Sequence, residues 1–534
     1  MSPRSASLGE HRRGPARGDL LAGLTVALVL VPQSLAYAEL AGTPPVHGLY
    51  TAVAATIAAG LIGSSPYLQT GPVALTSLLT FGALTPLAAA GTERFAAYAA
   101  LLALVVGTVR VLLGVLRWGV VAYLMSQPVL SAFTVAAAIL IIASQVPGLL
   151  DVDTTADNPL VAAFDAVSRP ADWDVTALAV GLATIVIILG GRRLSPTFPG
   201  ALVSSLLALG LSAAGWITVT VVGDIPNGLP PLSSGLPWGS LGSLVVPGLV
   251  IALVGFAEPA SIARRYAAED RKPWNPDREF VGQGLANLAA GTFSGYPAGG
   301  SFSRSALNRM SGARTRWSGL VTGLAVLAVM PFVSVLSDLP SAALAGLVIA
   351  AALSLVATRP FQEAWRFSRP QFFVALPTFV GTLLFAPRVE LGVLLGVGLS
   401  LAVHLWRELR LELDTWVTDD ALHVRPQGVL YFGSAPLLEP RVMQLMAERS
   451  DLRRVVVHLD RLGRLDLTGA LVLRSLVEDM RAGGTEVVIE GTQPQAARLV
   501  TAVLGTEPPA PVALPEQPRK VLRADHRKDC DGTA

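Results

Sequence analysis

Charge is scarce in this chain. Asp, Glu, Lys and Arg make up only 15% of its 534 residues, against about 25% in soluble domains. The deficit falls in long apolar runs, which excludes an ordinary soluble protein and points to a polytopic α-helical membrane protein. Cysteine is almost absent. Cys530 stands alone, which excludes an intrachain disulfide and fits either redox compartment. No G-x-x-x-x-G-K-[ST] stretch occurs, so the chain carries no ATP-binding loop of that kind and is not read as a primary pump. His11, His47, His404, His423, His458 and His526 show no H-E-x-x-H or other ligand spacing. No hydrolase or redox motif appears, so no enzyme activity, cofactor or metal is expected. A net charge of +2 gives no reason to invoke nucleic acid.

What is present is apolar sequence in windows. Spans are placed near 20–41, 48–63, 67–86, 95–116, 120–146, 175–190, 198–215, 245–265, 280–294, 296–312, 317–336, 340–357, 371–386 and 388–407, about fourteen in all. Several are too short or too broken by Gly and Pro to be plain helices. With the N-terminus inside, the inner loops receive Arg110 and Arg117, Arg192 and Arg193, then Arg264, Arg265, Arg271, Lys272 and Arg278. They also receive Arg309, Arg314 and Arg316, then Arg359, Arg366 and Arg369. The outer loops receive Asp151, Asp153, Asp157, Asp165, Asp172, Asp174, Asp224 and Asp338; Arg94, Arg169 and Arg388 are exceptions. This is the positive-inside pattern, and it places both termini in the cytoplasm. Arg12, Arg13 and Arg17 before an apolar stretch, with Ala36-Tyr37-Ala38 after it, imitate a secretory signal. The apolar sequence runs on into further spans, so the first span is expected to be retained.

One short run stands out from this background: Ser301-Phe302-Ser303-Arg304-Ser305 follows Gly299-Gly300 inside membrane-spanning sequence. A cation there costs several kcal/mol or more, so it marks a functional site by default. A helix starting at a glycine break also aims N–H groups and a positive dipole end at its surroundings. Cation, hydroxyls and helix start together describe an anion site. The competing reading has Arg304 snorkelling to the inner surface.

The chain also repeats itself. Pro32 in the first span and Pro259 in the eighth, read as breaks, recur at nearly the offset of Gly71-Pro72 in the third and Gly300-Ser301 in the tenth. Seven spans per half is an odd number, so the halves have opposite topology, and paired broken helices point to a transporter's midplane site. In the third span, residues 67–71 read as extended, Pro72 as the first helical turn, and 73–84 as helix; in the tenth, 293–300 read as extended with a helix from Ser301. The two helix starts would meet near mid-bilayer, which is tolerable only inside protein or along a cavity.

After Leu405 the composition changes. Val417–Val424 and Gly428–Phe432 read as strands, Ser434–Glu448 as a helix, Val455–Leu459 as a strand, Leu467–Ala482 as a helix, Glu486–Ile489 as a strand and Gln493–Leu504 as a helix. Alternating units of this kind imply a small α/β domain. The expected division is an N-terminal tail over 1–18, a transmembrane domain over 19–410, the α/β domain over 411–506, and a disordered tail over 507–534.

Several stretches resemble the SulP sulfate-permease family of anion transporters. They are Gly23–Val26 with Val31-Pro32-Gln33-Ser34-Leu35-Ala36-Tyr37-Ala38, then Pro44–Tyr50, Thr70–Ala74, Gln283–Asn287 and Gly299–Asn308. The C-terminal domain resembles the family's STAS domain, with Asp466-Leu467-Thr468-Gly469 where related regulators carry Asp-Ser-Ser-Gly. The resemblance implies two inverted seven-span repeats, a core of spans 1–4 and 8–11, a gate of spans 5–7 and 12–14, elevator-like movement and a homodimer in the cell membrane. It also implies an anion held by Gln33 and Tyr37 of the first span, Val73 of the third, and Ser301, Phe302, Ser303 and Arg304 of the tenth. Relatives often have an aromatic residue where Val73 stands, so the pocket here is roomier or differently shaped. Chemically, Gln33 offers an amide N–H₂, Ser301 and Ser303 offer hydroxyls, and Arg304 offers fixed charge, directly or from behind. Packing is the competing reading for Tyr37, and a hydrogen bond to backbone freed by Pro32 is the competing reading for Gln33.

Glu258 precedes Pro259 and faces the same core. A carboxyl in apolar surroundings can stay neutral, and the family's proton-coupled members are similar here, so Glu258 is the candidate to carry a proton with the anion. A salt bridge to Arg304 or capping of broken-helix backbone are the competing roles. Glu39 lies nearer the outer end of its span and reads as interfacial. Thr468 is a possible regulatory phosphosite at a helix start, with helix capping the competing explanation for that motif. The expected function is proton-coupled uptake of sulfate, bicarbonate or a small dicarboxylate such as fumarate. Anion exchange, an anion channel, sodium-coupled bicarbonate uptake and a membrane sensor with a STAS output stay open.

Overall fold

A computed structural model describes residues 17–123, 126–195, 198–409, 412–418, 421–448, 452–491 and 494–505. Residues 1–16 of the expected N-terminal tail, and the tail over 507–534 with Cys530, lie outside the described residues. The chain divides into two compact units, the first ending at Ser400 and the second starting at Leu401.

The first unit contains α1 (Arg17–Leu40), α2 (Val46–Ile62), β1 (Thr70–Gly71), α3 (Ala74–Leu84), α4 (Glu93–Val115), α5 (Gln127–Leu150), α6 (Pro159–Ser168), α7 (Val175–Leu194) and α8 (Gly200–Ala213). It continues with α9 (Leu241–Glu269), α10 (Pro276–Thr292), β2 (Gly299–Gly300), α11 (Phe302–Met310), α12 (Trp317–Val329), α13 (Ser341–Ala352), α14 (Arg359–Phe367), α15 (Arg369–Leu384) and most of α16 (Glu390–Glu408). Eight helical stretches among the described residues are long and apolar enough to cross a membrane. Each of the fourteen apolar windows contains a helix. α6 and α14 lie between windows, where loops were expected. α6 is announced by Asn158, which caps the amides of Leu160 and Val161 ahead of Pro159, a local signal that an apolar-window reading passes over.

Packing exposes the internal symmetry. α2 packs on α12 as α10 packs on α4, and α1 packs on α12 as α9 packs on α4. Likewise α5 packs on α15 as α13 packs on α7. The first set of pairs gathers α1, α2 and α4 with α9, α10 and α12; the second gathers α5 and α7 with α13 and α15. The expected breaks at Pro32 and Pro259 are corrected: both prolines sit inside continuous helices, α1 and α9. Membrane helices tolerate proline where side chains support the freed turn. In α1, Ser34 Oγ donates to the Leu30 carbonyl at 2.6 Å beside Pro32.

The second unit contains the end of α16, β3 (Glu412–Thr418), β4 (Ala421–Leu430), α17 (Leu438–Ala447), β5 (Arg454–His458), β6 (Leu462–Leu465), α18 (Leu467–Ala482), β7 (Glu486–Glu490) and α19 (Pro494–Leu504). The sheet order is β3-β4-β5-β7, with β6 beside the far end of β4. β3 and β4 are antiparallel, and the β4–β5 and β5–β7 pairs are parallel. The expected strand over Val417–Val424 is corrected to the facing ends of β3 and β4, which are opposed from Thr418 and Ala421 outward; alternation continues across that junction and hides it. β6 was not anticipated, because four residues with Gly463 and Arg464 carry too little pattern. Helices cover one sheet face, burying Leu422, Val424, Val455 and Val457 against Leu438, Leu473 and Leu476.

The rings of Trp416, His423 and His458 stack together, and His423 Nδ1 lies 2.9 Å from His458 Nε2, so one ring donates to the other. Burial, followed by the charges of His423 and Arg425, pushes His458 down to about 4 from 6.5, and burial also lowers His423. The unfolded chain then takes up protons first as pH falls. Stability supplied by the neutral pair is complete above pH 6.5 and is lost as pH drops through about 4. Hydrogen exchange in β4 and β5 of the full chain, corrected for intrinsic rate, is therefore expected to be faster at acid than at neutral pH, with His458→Gln removing most of the difference.

Candidate functional site

The two halves of the membrane unit meet in a ribbon of two residues from each. β1 and β2 pair antiparallel, with Thr70 opposite Gly300 and Gly71 opposite Gly299. Non-helical backbone at this depth needs partners inside the protein. Thr56 Oγ1 donates to the Thr70 carbonyl at 2.6 Å, and Gln283 Nε2 donates to Thr70 Oγ1 at 2.8 Å. Asn287 holds both backbone groups of Ala298, its Nδ2 donating to the carbonyl at 3.2 Å and its Oδ1 accepting from the amide at 2.9 Å. Ser305 Oγ accepts from the Gln69 amide at 2.9 Å, and the Gln69 carbonyl accepts from the Ser301 amide at 3.0 Å. The ribbon thus fixes where α3 and α11 begin.

The two helix starts differ. α3 begins at Ala74 rather than in the turn of Pro72, with Val73 extended and offering no side-chain cap. α11 begins at Phe302 after Ser301, whose Oγ accepts from the Arg304 amide at 3.4 Å. Glu258 Oε1 accepts from the Phe302 amide at 3.1 Å. The expectation of two open electropositive ends is therefore corrected: α3 keeps its amides uncapped by side chains, while a carboxyl group already answers α11. Between the two competing roles raised for Glu258, capping is the one the geometry displays, and no ion pair joins it to Arg304 among the described residues.

Arg304 is 1% exposed. Its Nη2 donates to the Pro72 carbonyl at 2.7 Å, and its Nη1 donates to Gln33 Oε1 at 3.2 Å. It does not snorkel; it ties α1 to the start of α3. A guanidinium only donates, so Gln33 must turn its oxygen to Arg304, which leaves its N–H₂ for another acceptor. No carboxylate forms an ion pair with Arg304 among the described residues. A buried cation with no ion-paired carboxylate is costly, and an anion relieves that cost.

The other expected residues gather around this point to different degrees. Ser301 and Ser303 place their Oγ atoms 3.3 Å apart. Ser303 and Phe302 are exposed, whereas Ser301 is buried. Val73 packs on the ribbon: a Cβ on Gly299 would stand 2.9 Å from Val73 Cγ2, so a side chain there would force Val73 to shift. Tyr37 is buried within the main apolar cluster. Thr468 belongs to the second unit, exposed in the first turn of α18, where Asp466 Oδ1 accepts from the Gly469 amide at 2.7 Å.

Sequence reasoning missed Arg110. It was assigned to an inner loop, but it lies inside α4 and is fully buried. Its Nε donates to the Ala252 carbonyl at 3.0 Å, its Nη2 to Ile251 at 3.2 Å, and its Nη1 to Ala298 at 3.1 Å. The signal was available in the apolar flanks Val109 and Val111, but the loop-charge tally absorbed it.

With this geometry in place, residues 17–378 match the model of the sulfate permease family, and residues 412–504 match the STAS domain. The chain belongs to the sulfate permease family. It is 36% identical over 422 residues to a probable sulfate transporter of Mycobacterium tuberculosis, covering 77% of this chain and 73% of that one. It is 31% identical to probable sulfate transporter 4.2 of Arabidopsis thaliana, covering 88% and 75%. Murine Slc26a9 shares the fold, with a TM-score of 0.84 at 18% identity over 93% of this chain and 89% of that one. The transmembrane domain of the cyanobacterial bicarbonate transporter BicA aligns with a TM-score of 0.59 at 22% identity, covering 72% and 97%. At those identities the two structures speak for the fold alone. This sulfate permease family member is a multi-pass membrane transporter and not an enzyme.

Proposed function

We propose that this protein is a secondary active transporter of a small anion, bound where α3 and α11 begin. The observation that carries the reading is Arg304, buried, without a carboxylate partner among the described residues, and set between Gln33 and the uncapped start of α3. Gln33, Ser301, Ser303 and the first amides of α3 supply donors. Val73 and Tyr37 supply apolar wall, and Phe302 stands at the mouth. Sulfate is the first candidate, because the relatives at 31–36% identity are named as probable sulfate transporters; bicarbonate and a dicarboxylate such as fumarate follow.

Glu258 provides the coupling. While charged, it answers the α11 amide and lowers the positive potential around the site. Once protonated, it withdraws that negative charge, so anion and proton enter together. The core of α1–α4 with α9–α12 moves past the gate elements in an elevator-like cycle, in a homodimer of the cell membrane with both termini cytoplasmic. The transporter occupies 19–410 and the STAS domain 411–506. Uptake of labelled sulfate, bicarbonate and fumarate into proteoliposomes at two pH gradients tests the proposal. Saturable uptake of at least one anion, stimulated by an inward proton gradient, is expected. Linear conductance with no saturation would make the protein a channel and overturn it.

A further inference from the structure

Two arginines are fully buried among the described residues of the membrane unit, and only one belongs to the site above. Arg110 donates to three backbone carbonyls, those of Ile251 and Ala252 in α9 and of Ala298 just before β2. No carboxylate forms an ion pair with it among the described residues. Carbonyl dipoles solvate a guanidinium but leave its net charge uncancelled, so its field persists in the low-dielectric core.

The guanidinium lies close to the start of α3. A Cβ on Gly255 would stand 2.7 Å from Arg110 Nη2 and 3.0 Å from Thr76 Cγ2, in the first turn of α3. A Cβ on Gly299 would stand 3.7 Å from the Gly255 carbonyl oxygen and 2.9 Å from Val73 Cγ2. Gly255 thus stands beside the Arg110 guanidinium, beside Thr76 of α3 and near Gly299 of the ribbon. Gly255 is also the residue whose carbonyl receives no helical donor from Pro259. Arg304 approaches the ribbon through Pro72, and Arg110 approaches it through α9 and Ala298.

Resting on the anion-site reading above, we infer that Arg110 is a positioning residue that supplies a second fixed positive charge behind the site and so sets its preference for divalent over monovalent anions. A purely structural clamp on α9 and β2 makes a different prediction. The Coulomb contribution doubles with ligand charge, so loss of the Arg110 charge must weaken a dianion by the square of the factor for a monoanion. A clamp weakens both alike.

The test measures apparent dissociation constants of sulfate and nitrate from their protection of the purified full chain against thermal unfolding. Arg110→Met is expected to weaken sulfate about tenfold and nitrate about threefold, the squared relation for charges held at protein dielectric. Arg110→Lys is expected to restore the sulfate-to-nitrate ratio to within about twofold of wild type, since it keeps the charge. Arg110→Gln, which keeps a donor to the carbonyls without charge, replaces the Met variant if that variant does not fold. An unchanged ratio in the neutral variant overturns the inference. So does failure of both neutral variants to fold while Arg110→Lys folds, which assigns Arg110 to scaffolding. Arg304→Met is measured alongside. If it weakens sulfate while the Arg110 variants do not, only the second charge falls; if neither position matters, the site at the ribbon falls with it.

Discussion

Replacing Arg304 with Met is expected to lower anion uptake at sub-saturating concentration about 100-fold, because truncating one member of a buried charged contact costs about 2–5 kcal/mol and each 1.4 kcal/mol is tenfold. The loss should fall on ligand and not on fold. Among the described residues Arg304 forms no ion pair with a carboxylate, so its removal leaves the Pro72 carbonyl and Gln33 Oε1 without that donor. Removing an unpaired buried charge relieves its desolvation cost, which offsets the loss of those two hydrogen bonds. The melting temperature without substrate should therefore hold or rise, while the increase given by saturating anion disappears. Arg304→Lys keeps a point charge but cannot span Gln33 and Pro72 as a fork, so an intermediate loss of about tenfold is expected. Initial rates in proteoliposomes and thermal unfolding in detergent decide the matter. Wild-type half-saturation in the Met variant would remove Arg304 from the site.

The second large effect concerns protons. Glu258→Gln retains an amide oxygen that can accept from the Phe302 amide, so α11 stays capped, but the group no longer titrates. Substrate-dependent proton flux is expected to fall to background, while anion uptake continues and loses its response to an imposed pH gradient. The two results must come as a pair. Unchanged proton flux with substrate removes the coupling role and leaves Glu258 as a helix cap. Loss of all uptake despite an unchanged melting temperature would mean that the negative charge itself is needed at the α11 start.

Much of this was legible in the chain before its coordinates. Fourteen apolar windows each proved to hold a helix, because length and hydropathy alone set that outcome. The glycine-marked segments around Gly71 and Gly300 proved to lie against each other, since a glycine break inside apolar sequence has few other uses. α18 runs over Leu467–Ala482 as expected, because Asp466 is a strong cap. What failed did so for identifiable reasons. Proline was read as a break at Pro32 and Pro259, although a packed membrane helix absorbs it. Arg110 was read as a loop charge, because the tally by side of the membrane ignores depth. Capping was among the roles raised for Glu258, but its partner on α11 lies 44 residues away, and no local pattern encodes which helix start such a contact reaches. The pairing of His423 with His458 is hidden in the same way, since strand register and not spacing brings the rings together.

The ribbon has a mechanical consequence. Thr70–Gly71 and Gly299–Gly300 are stitched back to back, and Gln69, Ser301, Ser305 and Asn287 bolt the seam. Neither short helix can swing away from the other without tearing backbone bonds in a medium that offers no replacements. Opening a cleft between them is thus closed off as a way to release cargo. In the proposed cycle the whole seam, cargo included, shifts relative to the helices that flank it, first toward one aqueous phase and then toward the other.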